Sequence, residues 1–258
     1  MSRQAGGLGH QRDHQSGVCP EHAQKNELKP WQATQWVIPL QANAALVCAM
    51  EDGLAVSTRP YDPRRPQVCL DETSQQLVAA TREPLPAAPG QAECVDDAYE
   101  RQGPAHLCML FEALAGQRQV KVTERRTAVD CAHVIQALVD EHYPQAENMV
   151  LGMDNLHTHT PASLDEAFAP AEARRLMDHL EIHDTPKHGS WLNMGETECS
   201  VLARQCLDRR MPDPTTFTQA VAAWEQQRPA AKGRVNWRCT TQEAKIKLKR
   251  LYPSTELG

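Results

Sequence analysis

No apolar run in the chain approaches the roughly 18 residues that a membrane-spanning helix requires. Met1-Ser2-Arg3-Gln4-Ala5-Gly6-Gly7 leads into no apolar segment either, so nothing there resembles a secretory signal. Membrane roles drop out, and the cytoplasm is the expected compartment. Paired cysteines are also missing. Nine cysteines are scattered from position 19 to position 239 without one Cys-x-x-Cys pair, which argues against a disulfide framework or a thiolate zinc site. Cys69, Cys108 and Cys131 fall inside apolar runs, as expected of small buried hydrophobes in a reducing cell.

What is present suits a soluble globular protein. The chain has 258 residues, 41% hydrophobic and 23% charged, enough for one domain with a real core. Its net charge of −6 hides an asymmetry. Eight Lys or Arg and one acid, Glu243, lie between Arg228 and Pro253, so that segment carries +7 and the rest −13. A basic stripe beside an acidic body fits a polyanionic partner, with carboxylates left over for metal. The same stripe also fits a solvated helix face with no partner.

Along the chain, residues 1–27 are polar and without periodicity, and they are expected to be disordered or a remnant. Residues 28–66 form a linker with a residual helix from Asn43 to Ala55, ending in the proline-punctuated stretch 59–67. The main domain is expected at 67–227, followed by a basic helix and tail at 228–258. Within it, a short strand at 67–71 precedes a long loop, 82–104, holding four prolines and two glycines. Strands at His106–Leu114 and Gln119–Thr123 follow as a hairpin. A helix from Ala128 to Tyr143, a strand at Met149–Asp154, a helix from Ser163 to Leu180 and a strand at Glu181–Asp184 come next. Helices at about 192–208, 215–227 and 241–251 close the chain. A hairpin beside strands linked by helices predicts an α/β fold: a mixed five-stranded sheet flanked by helices.

Three acids stand out. Asp71 ends the apolar run Val68-Cys69-Leu70. Asp154 ends Met149-Val150-Leu151-Gly152-Met153. Glu196 opens a helix after His188-Gly189-Ser190-Trp191-Leu192-Asn193-Met194-Gly195. A carboxylate at the end of a buried strand needs a partner. Two strand ends and a helix-borne Glu supply the oxygen cage of a hard divalent cation. Two such cations roughly 4 Å apart suit an in-line phosphoryl transfer. Glu72 and Glu198 are rivals: Glu72 points to the opposite strand face, and Glu198 lies about 200° around the helix from Glu196. A competing use of the same segments is a zinc hydrolase built on His157 and His159, completed by Asp154, His183 or His188.

Val68-Cys69-Leu70-Asp71-Glu72, Met153-Asp154-Asn155-Leu156-His157-Thr158-His159 and Thr185–Glu196 together resemble the three signature blocks of DDE transposases. The nearest branch is the bacterial insertion-sequence relatives of the mariner transposases, and the likeness covers roughly 25–253. It implies an RNase H-like fold and cutting and joining of double-stranded DNA at element ends. It implies Asp71, Asp154 and Glu196 as catalytic and metal-binding acids, with magnesium, or manganese in its place, at a two-metal site. Water attacks first, and the freed 3′-hydroxyl then attacks target DNA. A homodimer is expected, because two ends are processed together, and nucleoid association when DNA is bound. Arg125, Arg126, Lys187, His188, Lys245, Lys247, Lys249 and Arg250 are candidate phosphate contacts. Asn155, His157, His159 and Asn193 are candidate supports for the acids. The chain departs from the family in three ways. Residues 1–27 lack a helix-turn-helix pattern, His157 replaces an expected Asn, and Gly195 replaces an expected Ala or Ile. An inactive remnant that only binds DNA or dimerises is therefore the alternative reading.

Overall fold

Strand formation follows the alternation of large apolar and polar residues, and it puts a separate core on each face of the sheet. In the computed structural model the described residues are 43–92, 94, 96–154, 161–186, 189, 192–228, 233–236 and 239–253. The expectations for 1–27 lie outside them. Five strands, β1 (Gln67–Ala80), β2 (Tyr99–Glu112), β3 (Gln117–Thr123), β4 (Met149–Asp154) and β5 (Leu180–Thr185), form one sheet in the order β3-β2-β1-β4-β5. The first three run as antiparallel neighbours, and β4 joins β1 and β5 in parallel. This is the mixed sheet expected from the sequence.

Val68, Leu70, Leu110, Leu151 and Met153 face α2 (Ala128–Ala137), α3 (Ala162–Ala167) and α4 (Pro170–Asp178), against Val134, Ile135, Leu164 and Leu176. Leu107, Met109 and Phe111 face α5 (Met194–Leu202) and α6 (Pro214–Gln227), against Leu202, Phe217, Val221 and Trp224. The short strand β4 is buried on both faces, as its unbroken apolar sequence predicts. The N-terminal helix α1 (Ala44–Ser57) meets the C-terminal helix α7 (Thr241–Lys247). Leu46 and Val47 pack on Leu251, and Met50 and Leu54 on Ala244. Asn43 N donates to Leu251 O at 3.1 Å.

Several boundaries differ from expectation, each for a physical reason. Strand β1 does not stop at Asp71. It stays paired with β2 as far as Ala80 opposite Tyr99, because antiparallel backbone bonding tolerates the polar run Thr73–Gln76. The loop expected at 82–104 shrinks to 81–98. The hairpin turn is Ala113–Gly116, where Gly116 adopts φ 73°, a conformation glycine reaches without a Cβ clash. The helix expected from Ser163 to Leu180 is two helices, since Pro170 starts α4 and cannot continue α3. Helix α2 passes into a π-helical turn at Leu138–His142, and α5 into another at Ala203–Leu207. The last helix tightens to a 3₁₀ turn at Lys249–Leu251, and its N-cap is Thr240 in a capping box with Glu243.

Candidate active site

Strand register brings the first two acids together. Cys69 lies opposite Gly152 in the parallel pair β1–β4. Two residues further, Asp71 and Asp154 fall side by side on the same face, the one covered by α5. There β4 ends, whereas β1 runs on. Asp71 therefore sits inside a strand, at the point where one neighbour stops, and not at a strand end as the apolar run suggested.

Helix α5 delivers the third acid. Asn193 is its N-cap: Oδ1 accepts from Gly195 N at 2.9 Å, and Nδ2 donates to Leu70 O at 3.1 Å. The start of α5 is thus bonded to β1 one residue before Asp71. Gly195 permits a close approach, since a Cβ there would lie 2.9 Å from Asp71 Cβ. Glu196, in the first turn, is exposed, and a carboxylate is favoured there by the helix dipole. Asp71, Asp154, Glu196, Asn193, Cys199 and Ser200 line one cavity of ≈ 380 Å³.

The rivals go elsewhere. Glu72 turns to the opposite face, where it pairs with Arg126 Nε and accepts from Cys108 Sγ at 3.6 Å. Glu198 is buried against Arg118 at 2.8 Å and Arg228 at 3.3 Å. Cys199 does not stand out in the sequence, although it lies three residues beyond Glu196 and so on a neighbouring helix face. Burial pushes its thiol up, and the charge of Asp71 and a hydrogen bond to that carboxylate push it further. Cys131, on the other side of the sheet, is pushed up to about 12 by burial, then by the charges of Glu72 and Asp154. Cys108 and Cys131 are buried free thiols as expected, Cys69 is only half-buried, Cys199 is buried as well, and Cys48 and Cys94 are exposed.

Among the described residues, no three His, Cys, Asp or Glu side chains close up into a finished ion cage. The three acids share a cavity instead. Their donor chemistry, carboxylate oxygens beside the Ser200 hydroxyl, suits a hard divalent cation, which would draw the like charges together. Of the candidate phosphate contacts, Arg125 is exposed next to the hairpin exit, and Arg126 is held by Glu72. Lys245 reaches Glu51 at 3.2 Å, while Lys247, Lys249 and Arg250 project from the C-terminal helix and turn. Lys187, His188, Asn155, His157 and His159 lie outside the described residues, and with them the histidine pair of the zinc reading. No described helix is long and apolar enough to cross a membrane.

Solved structures of similar fold include the crystal structure of the mariner Mos1 paired end complex with Mg. It has a TM-score of 0.56 and 17% identity, over 91% of this chain and 72% of that one. The Mos1 mariner paired end complex with Mn gives 0.52 and 16%, over 90% and 72%. The Mos1 strand transfer complex gives 0.53 and 15%, over 90% and 69%. The RNase H-like fold is thereby shown. No curated protein matches the chain. Residues 66–218, more than half of the sequence and the whole span from β1 into α6, match the profile of the DDE superfamily endonucleases, and the chain belongs to that family.

Proposed function

We propose that this endonuclease is the catalytic part of a transposase, cleaving DNA at the ends of a mobile element and joining the freed end to target DNA. The observation that carries this reading is the convergence of Asp71, Asp154 and Glu196 on one cavity, from two parallel strands and a helix start. These three carboxylates would hold magnesium, or manganese in its place. A cation held there would supply the Lewis acidity that favours the attacking hydroxyl and the leaving oxygen. The chain's own residues do the rest. Asn193 and Gly195 hold Glu196 against β1. Cys199 donates to Asp71. Arg125, Lys247, Lys249 and Arg250 hold duplex backbone through charge without reading sequence. The similar solved structures are paired-end complexes, which supports a second copy of this chain as partner when two ends are processed.

The test is nicking of duplex DNA carrying candidate terminal inverted repeats, in magnesium or manganese. Wild type cuts at the element end, and Asp154→Ala, Asp71→Ala and Glu196→Ala fall to background. Equal inertness of wild type and Asp154→Ala, in both metals and on every candidate end, would sink the reading.

A further inference from the structure

Helix α5 carries two carboxylates about 200° apart around its axis. Glu196 faces the cavity, and Glu198 is buried. Glu198 Oε1 lies 2.8 Å from Arg118 Nε on β3 and 3.3 Å from Arg228 Nη2, which follows α6. The Arg118 and Glu198 side chains are 2% and 6% exposed. Arg118 is itself fixed on every side. Its Nη1 donates to Arg228 O at 2.9 Å. Its guanidinium lies 5.4 Å over the Phe111 ring. Gly233 packs so closely on it that a Cβ there would fall 1.9 Å from Nη2. Arg228 in turn stacks on Trp224 at 5.1 Å and donates to Gln205 at 2.8 Å.

At the start of the helix, Asn193 bonds Leu70 O, and Gly195, three residues before Glu198 and so on a neighbouring face, rests on Asp71. Downstream, α5 passes into the π-helical turn at Ala203–Leu207. Besides the buried Met194, Cys199 and Leu202, two polar anchors thus hold the first turns of α5, one at its start and one at Glu198. A buried ion pair contributes little to stability that an apolar pair of the same volume could not. What it adds is a tie between α5 and β3: Glu198 Oε1 meets the Arg118 guanidinium at Nε, outside hydrogen-bond alignment, and that guanidinium is itself held by Phe111 and Arg228 O.

We propose that Glu198 and Arg118 are positioning residues for the metal site: their ion pair fixes the rotation of α5 and so aims Glu196 at Asp71 and Asp154. This rests on the reading of Glu196 as a metal ligand. The experiment measures Mn²⁺ binding to the full chain without DNA, by the spin-resonance signal of free Mn²⁺, together with melting temperature and the metal dependence of nicking. Glu198→Leu combined with Arg118→Met replaces the pair by apolar groups. It is expected to melt close to wild type while its Mn²⁺ half-saturation rises about tenfold. The metal concentration for half-maximal nicking rises with it, and the rate at saturating metal falls less. Arg118→Lys keeps the charge but loses the fork, and is expected to lie between the two.

Glu196→Gln separates the two claims. If it weakens Mn²⁺ binding and the apolar pair does too, the inference stands. If it weakens binding while the folded apolar pair binds as wild type does, the positioning role is overturned and the metal site survives. If Glu196→Gln itself binds as wild type does, the ligand reading fails and the inference with it. Should the apolar pair not fold, wild-type binding by Arg118→Lys overturns the proposal.

Discussion

At the residue scale, Asn193 has the most concentrated role. One amide caps α5, ties it to the carbonyl before Asp71, and is itself only 3% exposed. Asn193→Ala removes the cap acceptor and strands a buried carbonyl. We expect a loss of about 1–2 kcal/mol in denaturant unfolding and a higher metal requirement for nicking. Asn193→Ser retains the acceptor but is too short to reach Leu70 O, and should fall between; a serine variant as unstable as the alanine would show that the cap bond is not what matters. Asp71 and Asp154 stood out because each ends an apolar run, and Glu196 because it opens a helix and fits the family resemblance, although β1 itself runs on past Asp71. Arg118 was not readable. Its partners Glu198 and Arg228 lie far along the chain, and a lone Arg after the turn Ala113–Gly116 looks like solvated surface until β3 and α5 are brought together.

At the element scale, α1 is held on β5 by charge. Glu181 takes Arg59 at 2.7 Å, Arg65 and His183 at 3.0 Å, and His183 in turn meets Asp52 of α1 at 2.6 Å. The Arg59 hydrogen bond, joined by His183 and both guanidinium charges and opposed by burial, holds the Glu181 carboxyl at about 2. An unfolded glutamate titrates near ~4.3. Because the folded value is depressed, the stabilisation is complete above about pH 4.3 and lost as pH falls toward 2. Melting curves in that window should drop less steeply for Glu181→Gln than for wild type; parallel curves would contradict the assignment. Gly116→Ala, forced to the same positive φ, should cost about 1–2 kcal/mol. Helix existence was legible throughout from apolar spacing, but three of the helix ends were not. Pro170 divides one expected helix, and the two π-helical turns arise from packing that no local pattern encodes.

At the scale of the whole molecule, the two ends of the described chain close on each other. Leu251 is fully buried beneath α1, and Tyr252 Oη donates to Glu51 at 3.0 Å. Leu251→Ala should cost about 2–5 kcal/mol, measured by chemical unfolding of the full chain. The basic stripe that stood out in the composition thus has two jobs: its apolar residues bind α1, while Lys247, Lys249 and Arg250 remain outside. Changing those three to Gln should leave melting unchanged and flatten the dependence of log affinity for duplex DNA on log salt, by about 0.9 for each phosphate no longer neutralised. The mixed character of the sheet was legible because the hairpin and the helix-linked strands differ in their spacing, but the order of its strands was not. The length of β1 was not, because its outer half is polar. That length carries a consequence for motion. Up to Cys69, β1 is paired on both sides; beyond Asp71 its strand partner is β2 alone, with one further backbone bond from Val78 N to Met211 O at 2.7 Å. A two-stranded ribbon is marginal by itself. Amide protons of the outer half, from about Ser74 onward, should therefore exchange with solvent well before those at Val68 and Leu70. Asp71 would then mark the boundary between a slow-exchanging platform and a fast-exchanging arm.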